Sequence, residues 1–220
     1  MAVLQRQKQG FSLVEMVVVL GAMVMVMTLT LANFPKIKEQ IALTLATREL
    51  ALTIRKAQSY AIAVREFNSS FPVNLCNSGY DVSQGSVMYP PYGISVSKSG
   101  LPDSLGRDQW HYVIFGDITC RASRSQDPVL NAATMIIDVI SIQNGVQIAT
   151  IKGFAGGPPP TVLDAVDIVY QRPNPSVTLI GYKNGTGSIY SGRIEISLTS
   201  GDGSATQKII ARPSGQISIE

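Results

Sequence analysis

From Phe11 to Phe34 the chain is almost wholly apolar, with Glu15 as its one formal charge. Met16 to Phe34 is a run of 19 uncharged residues, mostly Val, Met and Leu. A helix needs about 20 such residues to cross a bilayer core. Pro35 ends the run and is expected to kink the helix or melt it locally. Beyond it, Leu43, Ala46, Leu50, Ile54, Ala57, Ala61 and Val64 recur at helical spacing. They form one apolar face, with Lys38, Glu39, Arg48, Glu49, Arg55 and Lys56 on other faces. One helix is therefore predicted from Phe11 to about Arg65, roughly 80 Å long at 1.5 Å per residue.

From Asn68 onward the texture changes. Short β-type runs are punctuated by Gly, Pro, Ser and Asn. The predicted strands are Tyr92–Ser97, Trp110–Gly116, Thr134–Ile140, Val146–Ile151, Asp164–Arg172, Val177–Tyr182, Tyr190–Leu198, Thr206–Arg212 and Gln216–Glu220. Ser200–Gly203 and Pro213–Gly215 read as hairpin turns, Gly156–Pro160 as a stiff loop, and Lys183–Ser188 as a hairpin loop. Pro173 and Pro175 cannot donate to a β-ladder, so Gln171–Ser176 belongs at a turn or sheet edge. Many short strands without intervening helices argue for antiparallel sheets, as in a small sandwich. The fold class is α+β: a long N-terminal helix on a β-rich head. The organisation is a leader over 1–10, an apolar helix over 11–34, its amphipathic continuation over 35–66, and a head over 67–220.

Composition adds little beyond this. The net charge is +3; without Arg6 and Lys8 of the leader, 16 basic residues face 15 acidic ones, or +1. No broad basic field argues for nucleic acid. Cys76 and Cys120 could form one disulfide in an exported chain or remain two unrelated thiols.

The leader decides more. "MAVLQRQKQG" is short, polar and basic, and its small residue, Gly10, precedes the apolar stretch instead of following it. That is the reverse of a secretory signal. Cleavage after Gly10 would leave the apolar segment on the mature chain. The basic leader would keep its end cytoplasmic by the positive-inside tendency, with the rest of the chain outside.

Gly10, then Phe11-Ser12-Leu13-Val14-Glu15, then the apolar run, resembles the prepilin family: type IV pilins and the pseudopilins of type II secretion. The resemblance implies cleavage between Gly10 and Phe11 by a prepilin peptidase, which also methylates the Phe11 amine. It implies partners as well: that peptidase/methyltransferase, other pilin or pseudopilin subunits, an inner-membrane assembly platform and the lipid bilayer. The head is similar, more loosely, to minor pseudopilins, minor pilins and pilin-like proteins of candidate-phyla bacteria. The segments that carry this are "YGISV", "WHYVIFGD", "VDIVYQRPNP" and "KIIARPSGQISI".

A carboxylate within a membrane helix costs roughly 2.5–3.5 kcal/mol on insertion scales and persists where it has a partner. Phe11 and Glu15 lie four residues apart, on one helix face. Glu15 also occupies the first turn, where the helix dipole favours negative charge. The resemblance implies a further partner, the Phe11 amine of a neighbouring subunit. The competing reading is a single-pass anchor whose Glu15 snorkels to the interface.

No enzymatic site is expected. His111 is the sole histidine, and no G-x-S-x-G elbow accompanies it. Two cysteines and one histidine make no zinc signature. Asp103, Asp108 and Asp117 lack EF-hand spacing and read as turn or capping residues. Neither a P-loop nor G-x-G-x-x-G occurs, and no cofactor or metal is expected. Arg121 and Arg124 lie in an expected loop, solvated or, in an alternative reading as a DNA-uptake subunit, contacting DNA. The localisation expected is the cytoplasmic membrane, single-pass with the head outside, and a surface filament after assembly.

Overall fold

The computed structural model describes residues 12–63, 67–68, 87–88, 91–101, 107–116, 136–157, 159–170 and 177–220. Helix α1 runs without interruption over Leu13–Ile62, 50 residues. Ser12 caps its start: the hydroxyl accepts from Val14 N at 3.2 Å, and the Ser12 carbonyl takes the first helical bond from Met16 N. Of the kink or local melting expected at Pro35, the melting does not occur, since Pro35 lies inside the helix. Proline removes one backbone donor, but its fixed φ suits a helix, and long helical stretches on both sides hold the turn.

The chain falls into two compact units, Met1–Lys38 and Glu39–Glu220. In the first, the described side chains from Ser12 to Lys38 are all exposed. Thr28 and Thr30 bond back to the carbonyls of Met25 and Met27, each at 2.8 Å. Their hydroxyls are thus satisfied within an apolar helix.

In the second unit the helix buries one stripe. Leu43, Ala46, Leu50, Ile54, Ala57 and Ala61 are buried, as their spacing predicts, joined by Ala42, Thr47, Ala51 and Thr53. Val64 lies outside the described residues. Burial of a Leu or Ile side chain contributes roughly 1.5–3 kcal/mol, so Leu43, Leu50 and Ile54 dominate this contact.

The strands are β1 (Phe67–Asn68), β2 (Val87–Met88), β3 (Tyr92–Ser97), β4 (His111–Gly116), β5 (Ile136–Ser141), β6 (Gln147–Phe154), β7 (Thr161–Leu163), β8 (Ala165–Tyr170), β9 (Val177–Lys183), β10 (Thr186–Ile189), β11 (Arg193–Thr199), β12 (Thr206–Ala211) and β13 (Ile217–Ile219). They form a six-stranded sheet, β10-β9-β8-β3-β4-β5, a five-stranded sheet, β13-β12-β11-β6-β7, and a β1-β2 pair. Every pairing is antiparallel. The helix stripe, Tyr92, Ile94, Val96, Val166, Ile168 and Leu179 of the larger sheet, and Ile151, Ile194, Ile196, Leu198 and Ile209 of the smaller share one core. The architecture is the α+β one expected from the sequence.

Four short strands depart from the expectation. β1 and β2 have two residues each, and β7 three, too few for an alternating pattern to register. β10 falls where a hairpin loop is expected. The turn itself is only Asn184-Gly185, both at positive φ (49° and 77°), and pairing resumes at Thr186 opposite Lys183. A two-residue Asn-Gly turn matches the strand twist, so strand begins directly after it. The hairpin turns at 200–203 and 213–215 are found between β11 and β12 and between β12 and β13. The Gln171–Ser176 segment lies outside the described residues.

Candidate assembly segment and polar sites of the head

The first candidate site is the start of α1. Ser12-Leu13-Val14-Glu15 fits the S-x-x-E capping pattern, with Ser12 at the cap and Glu15 three residues on. Glu15 is exposed and has no hydrogen-bond or ion-pair partner among the described residues. An acidic group here is favoured by the unpaired N–H groups and the helix dipole. Leu13, Val14, Met16 to Leu20 and Met23 to Met27 around it are exposed apolar side chains. α1 is near the N-terminus and is long and apolar enough to cross a membrane. Gly10 and Phe11, where processing is expected, lie outside the described residues, as do Cys76, Cys120, Arg121 and Arg124.

His111 opens β4 with Nδ1 2.8 Å from Asp108 Oδ1, and the same oxygen accepts from Trp110 N at 2.7 Å. Asp108 therefore closes the turn into β4, the capping role expected of it; Asp103 and Asp117 lie outside the described residues. Among the described residues, the His111 side chain meets Asp108 and no hydroxyl or thiol. Among those residues, no three His, Cys, Asp or Glu side chains gather closely enough to hold a metal.

One polar cluster escapes the sequence reading. Asp167, at the middle of β8, is buried to 1 % exposure. Its carboxylate accepts from the Ser95 hydroxyl of β3 and, at 2.8 Å, from the Tyr182 hydroxyl of β9. Arg107 approaches to 3.5 Å and also donates to the Ser95 hydroxyl. A buried carboxylate persists when paired and fully hydrogen-bonded, and here three strands and one loop residue combine to do so. The signal was present in "AVDIVY": an acid at alternate parity within a fully buried strand.

A second acidic pair joins α1 to the β11–β12 turn. Glu39 shares a side-chain hydrogen bond with Asp202, which pushes the Glu39 carboxyl above its ordinary value. Asp202 Oδ1 accepts from the Ser200 hydroxyl at 2.6 Å and Ser204 N at 2.9 Å; these bonds hold its carboxyl well below the usual range. Two carboxyl groups in contact titrate apart in this way because both cannot ionise without repulsion. Elsewhere in the head, burial pushes the Tyr112 hydroxyl up to about 12, and that of Tyr170 up as well.

No family model, curated protein or solved structure matches the chain. The functional reading therefore rests on its own residues.

Proposed function

We propose that the chain is a filament subunit, a minor pilin or pseudopilin, that acts through its N-terminal helix and is a substrate of a prepilin peptidase, not an enzyme. The observation that carries this reading is the first half of α1. It is uncharged from Met16 to Phe34, its described side chains over that stretch are exposed, and Glu15 is the only acid of the helix before Glu39. A bare apolar helix of this length requires lipid or neighbouring helices around it.

In this proposal cleavage after Gly10 frees the Phe11 amine, and residues 11–34 hold the subunit in the cytoplasmic membrane. An assembly platform then extracts it into a bundle of like helices. Helices leave lipid for one another through close packing and polar pairing, because lipid tails are as apolar as Leu. Glu15 of one subunit meets the Phe11 amine of the next, neutralising both charges and fixing axial register. The capped first turn supports this role by fixing where the Glu15 carboxylate stands relative to the chain start.

The test is N-terminal peptide mass spectrometry of the chain from a membrane containing an active prepilin peptidase. A mature start at Phe11 carrying one methyl group is expected. A chain retaining Met1 to Gly10 would overturn the reading in favour of a plain single-pass anchor.

A further inference from the structure

The five-stranded sheet has a second face, turned away from the core. β11 sends Ile194, Ile196 and Leu198 inward. By alternation Arg193, Glu195 and Ser197 take the other side. The register sets Phe154 opposite Arg193, Lys152 opposite Glu195, and Lys208 opposite Ser197. Arg212 follows directly after β12. This face thus carries four cationic side chains, Lys152, Arg193, Lys208 and Arg212, against two acidic ones, Glu195 and Glu220, the latter paired with Lys208 through two backbone hydrogen bonds.

At one end of that face lies an open cleft of about 380 Å³, lined by Phe154, Gly156, Gly157, Gly192, Arg193 and Arg212. Its construction is specific. The Arg193 guanidinium stacks over the Phe154 ring, 4.1 Å from the centroid, while its Nε donates to Glu195 Oε1 at 2.8 Å. Stack and ion pair fix the guanidinium plane, and among the described residues its terminal N–H groups have no hydrogen-bond partner. Arg212 has no carboxylate partner among the described residues; Nη1 makes only a long 3.4 Å bond to Gln216 Oε1. The remaining wall is glycine. A Cβ on Gly192 would stand 2.5 Å from the Phe154 carbonyl oxygen, so only glycine lets the two segments close up. Beside Gly157 there is open space.

We propose that this cleft is a phosphate-binding site, in which Arg193 and Arg212 grip the oxygens of a phosphate monoester or diester. A planar guanidinium matches phosphate oxygens through paired N–H donors, and aromatic stacking orients it in advance. Phosphate suits the cleft better than a single carboxylate because four cations face two acids on this face and Arg212 has no carboxylate partner among the described residues. This proposal is independent of the filament reading.

The experiment is a titration of the full chain, labelled with ¹⁵N-arginine and held in a neutral detergent micelle, at constant ionic strength. The probe is inorganic phosphate, with acetate as comparison. Saturable shifts of two arginine side-chain resonances by phosphate are expected, with acetate at least about tenfold weaker. Arg212→Gln should weaken phosphate about tenfold, the equivalent of roughly 1.4 kcal/mol. Gly157→Glu, which places a carboxylate in open space, should do the same without disturbing the fold. Arg48→Gln, on the exposed side of α1, should change nothing. Displacement of phosphate by a short single-stranded oligonucleotide would identify a polymer backbone as the natural source, and failure to displace it a small phosphorylated ligand. Linear, unsaturable shifts, equal binding of acetate, or equal loss in Arg48→Gln would overturn the proposal.

Discussion

The Tyr182 hydroxyl donates to Asp167 Oδ2 at 2.8 Å across the β8–β9 pair, and Ser95 and Arg107 engage the opposite carboxylate oxygen. Arg107 is 15 % exposed at its side chain and Asp167 2 %, so the pair is largely dry. Asp167→Ala should therefore destabilise the head by about 3–5 kcal/mol, the usual cost of leaving one half of a buried pair. Asp167→Asn, which keeps the shape and one acceptor, should cost less. Denaturant unfolding of the full chain in detergent checks the order; equal stability of wild type and Asp167→Ala would refute it.

The Glu39–Asp202 pair sets opposite pH dependences. Glu39 has a raised folded pKa, so its contribution is fully present below the unfolded value and is lost as pH rises through the folded one. Asp202 has a lowered folded pKa, so its contribution is present above its unfolded value and is lost as pH falls through the folded one. Where both are ionised they repel. Glu39→Gln supplies a permanent donor and removes that repulsion. It should raise Tm at pH above the raised Glu39 pKa and leave it unchanged under acid conditions where Glu39 is protonated. Calorimetry across that range would refute the idea if the two melting curves stayed parallel.

Gly93 is fixed by crowding. A Cβ there would stand 2.7 Å from the Phe115 ring and 2.8 Å from the Ile168 carbonyl oxygen. Gly93→Ala should cost on the order of 1–3 kcal/mol as overpacking, whereas Gly21→Ala, whose Cβ meets nothing within 4 Å, should not. Thermal melts of the two variants side by side would settle the comparison.

If the chain is the filament subunit proposed, Glu15→Leu should leave it in the membrane fraction and abolish its incorporation into filaments. Removing a carboxylate makes the span more apolar, so anchoring improves while the register contact disappears. Membrane fractionation combined with crosslinking of neighbouring subunits separates the two. Undiminished crosslinking would support the plain-anchor reading instead.

Tyr112 meets Thr53 of α1, oxygen to oxygen, at 3.4 Å in the core. Tyr112→Phe should cost only about 0.5–1.5 kcal/mol, since a long hydrogen bond is lost and the ring stays. Because burial pushes its pKa up to about 12, the Tyr112 contribution should persist through neutral pH and fade only as alkali approaches that value. Alkaline titration of wild type against Tyr112→Phe tests this.

The long helix was legible because its signals are dense and local. Leu43, Leu50 and Ile54 sit at helical spacing, and their burial follows from that alone. The central strands were legible because each runs six residues or more and is rich in β-branched and aromatic residues. What the sequence hid depends on partners far along the chain. Ser95 and Asp167 are separated by 72 residues, and nothing near either one names the other. β7 and β10 exist because β6 and β9 offer them hydrogen bonds, not because their own residues demand strand. Pro35 left the helix continuous, as the single helix expected from Phe11 to about Arg65 requires, and only the alternative of local melting is absent.

The shared core also dictates a sequence of events during synthesis. The buried stripe of α1 is made first, yet it packs with Ile209 and Ala211, which are made almost last. β6 likewise waits for β11 before its main pairing can form. Such distant closures are slow to form, and the unpaired apolar surface meanwhile invites aggregation. The newborn chain therefore carries two sticky helix segments in tandem, one long and apolar enough to cross a membrane and one requiring strands not yet translated. Early capture of the first by the bilayer would hold the second apart from other chains until its own head can close over it.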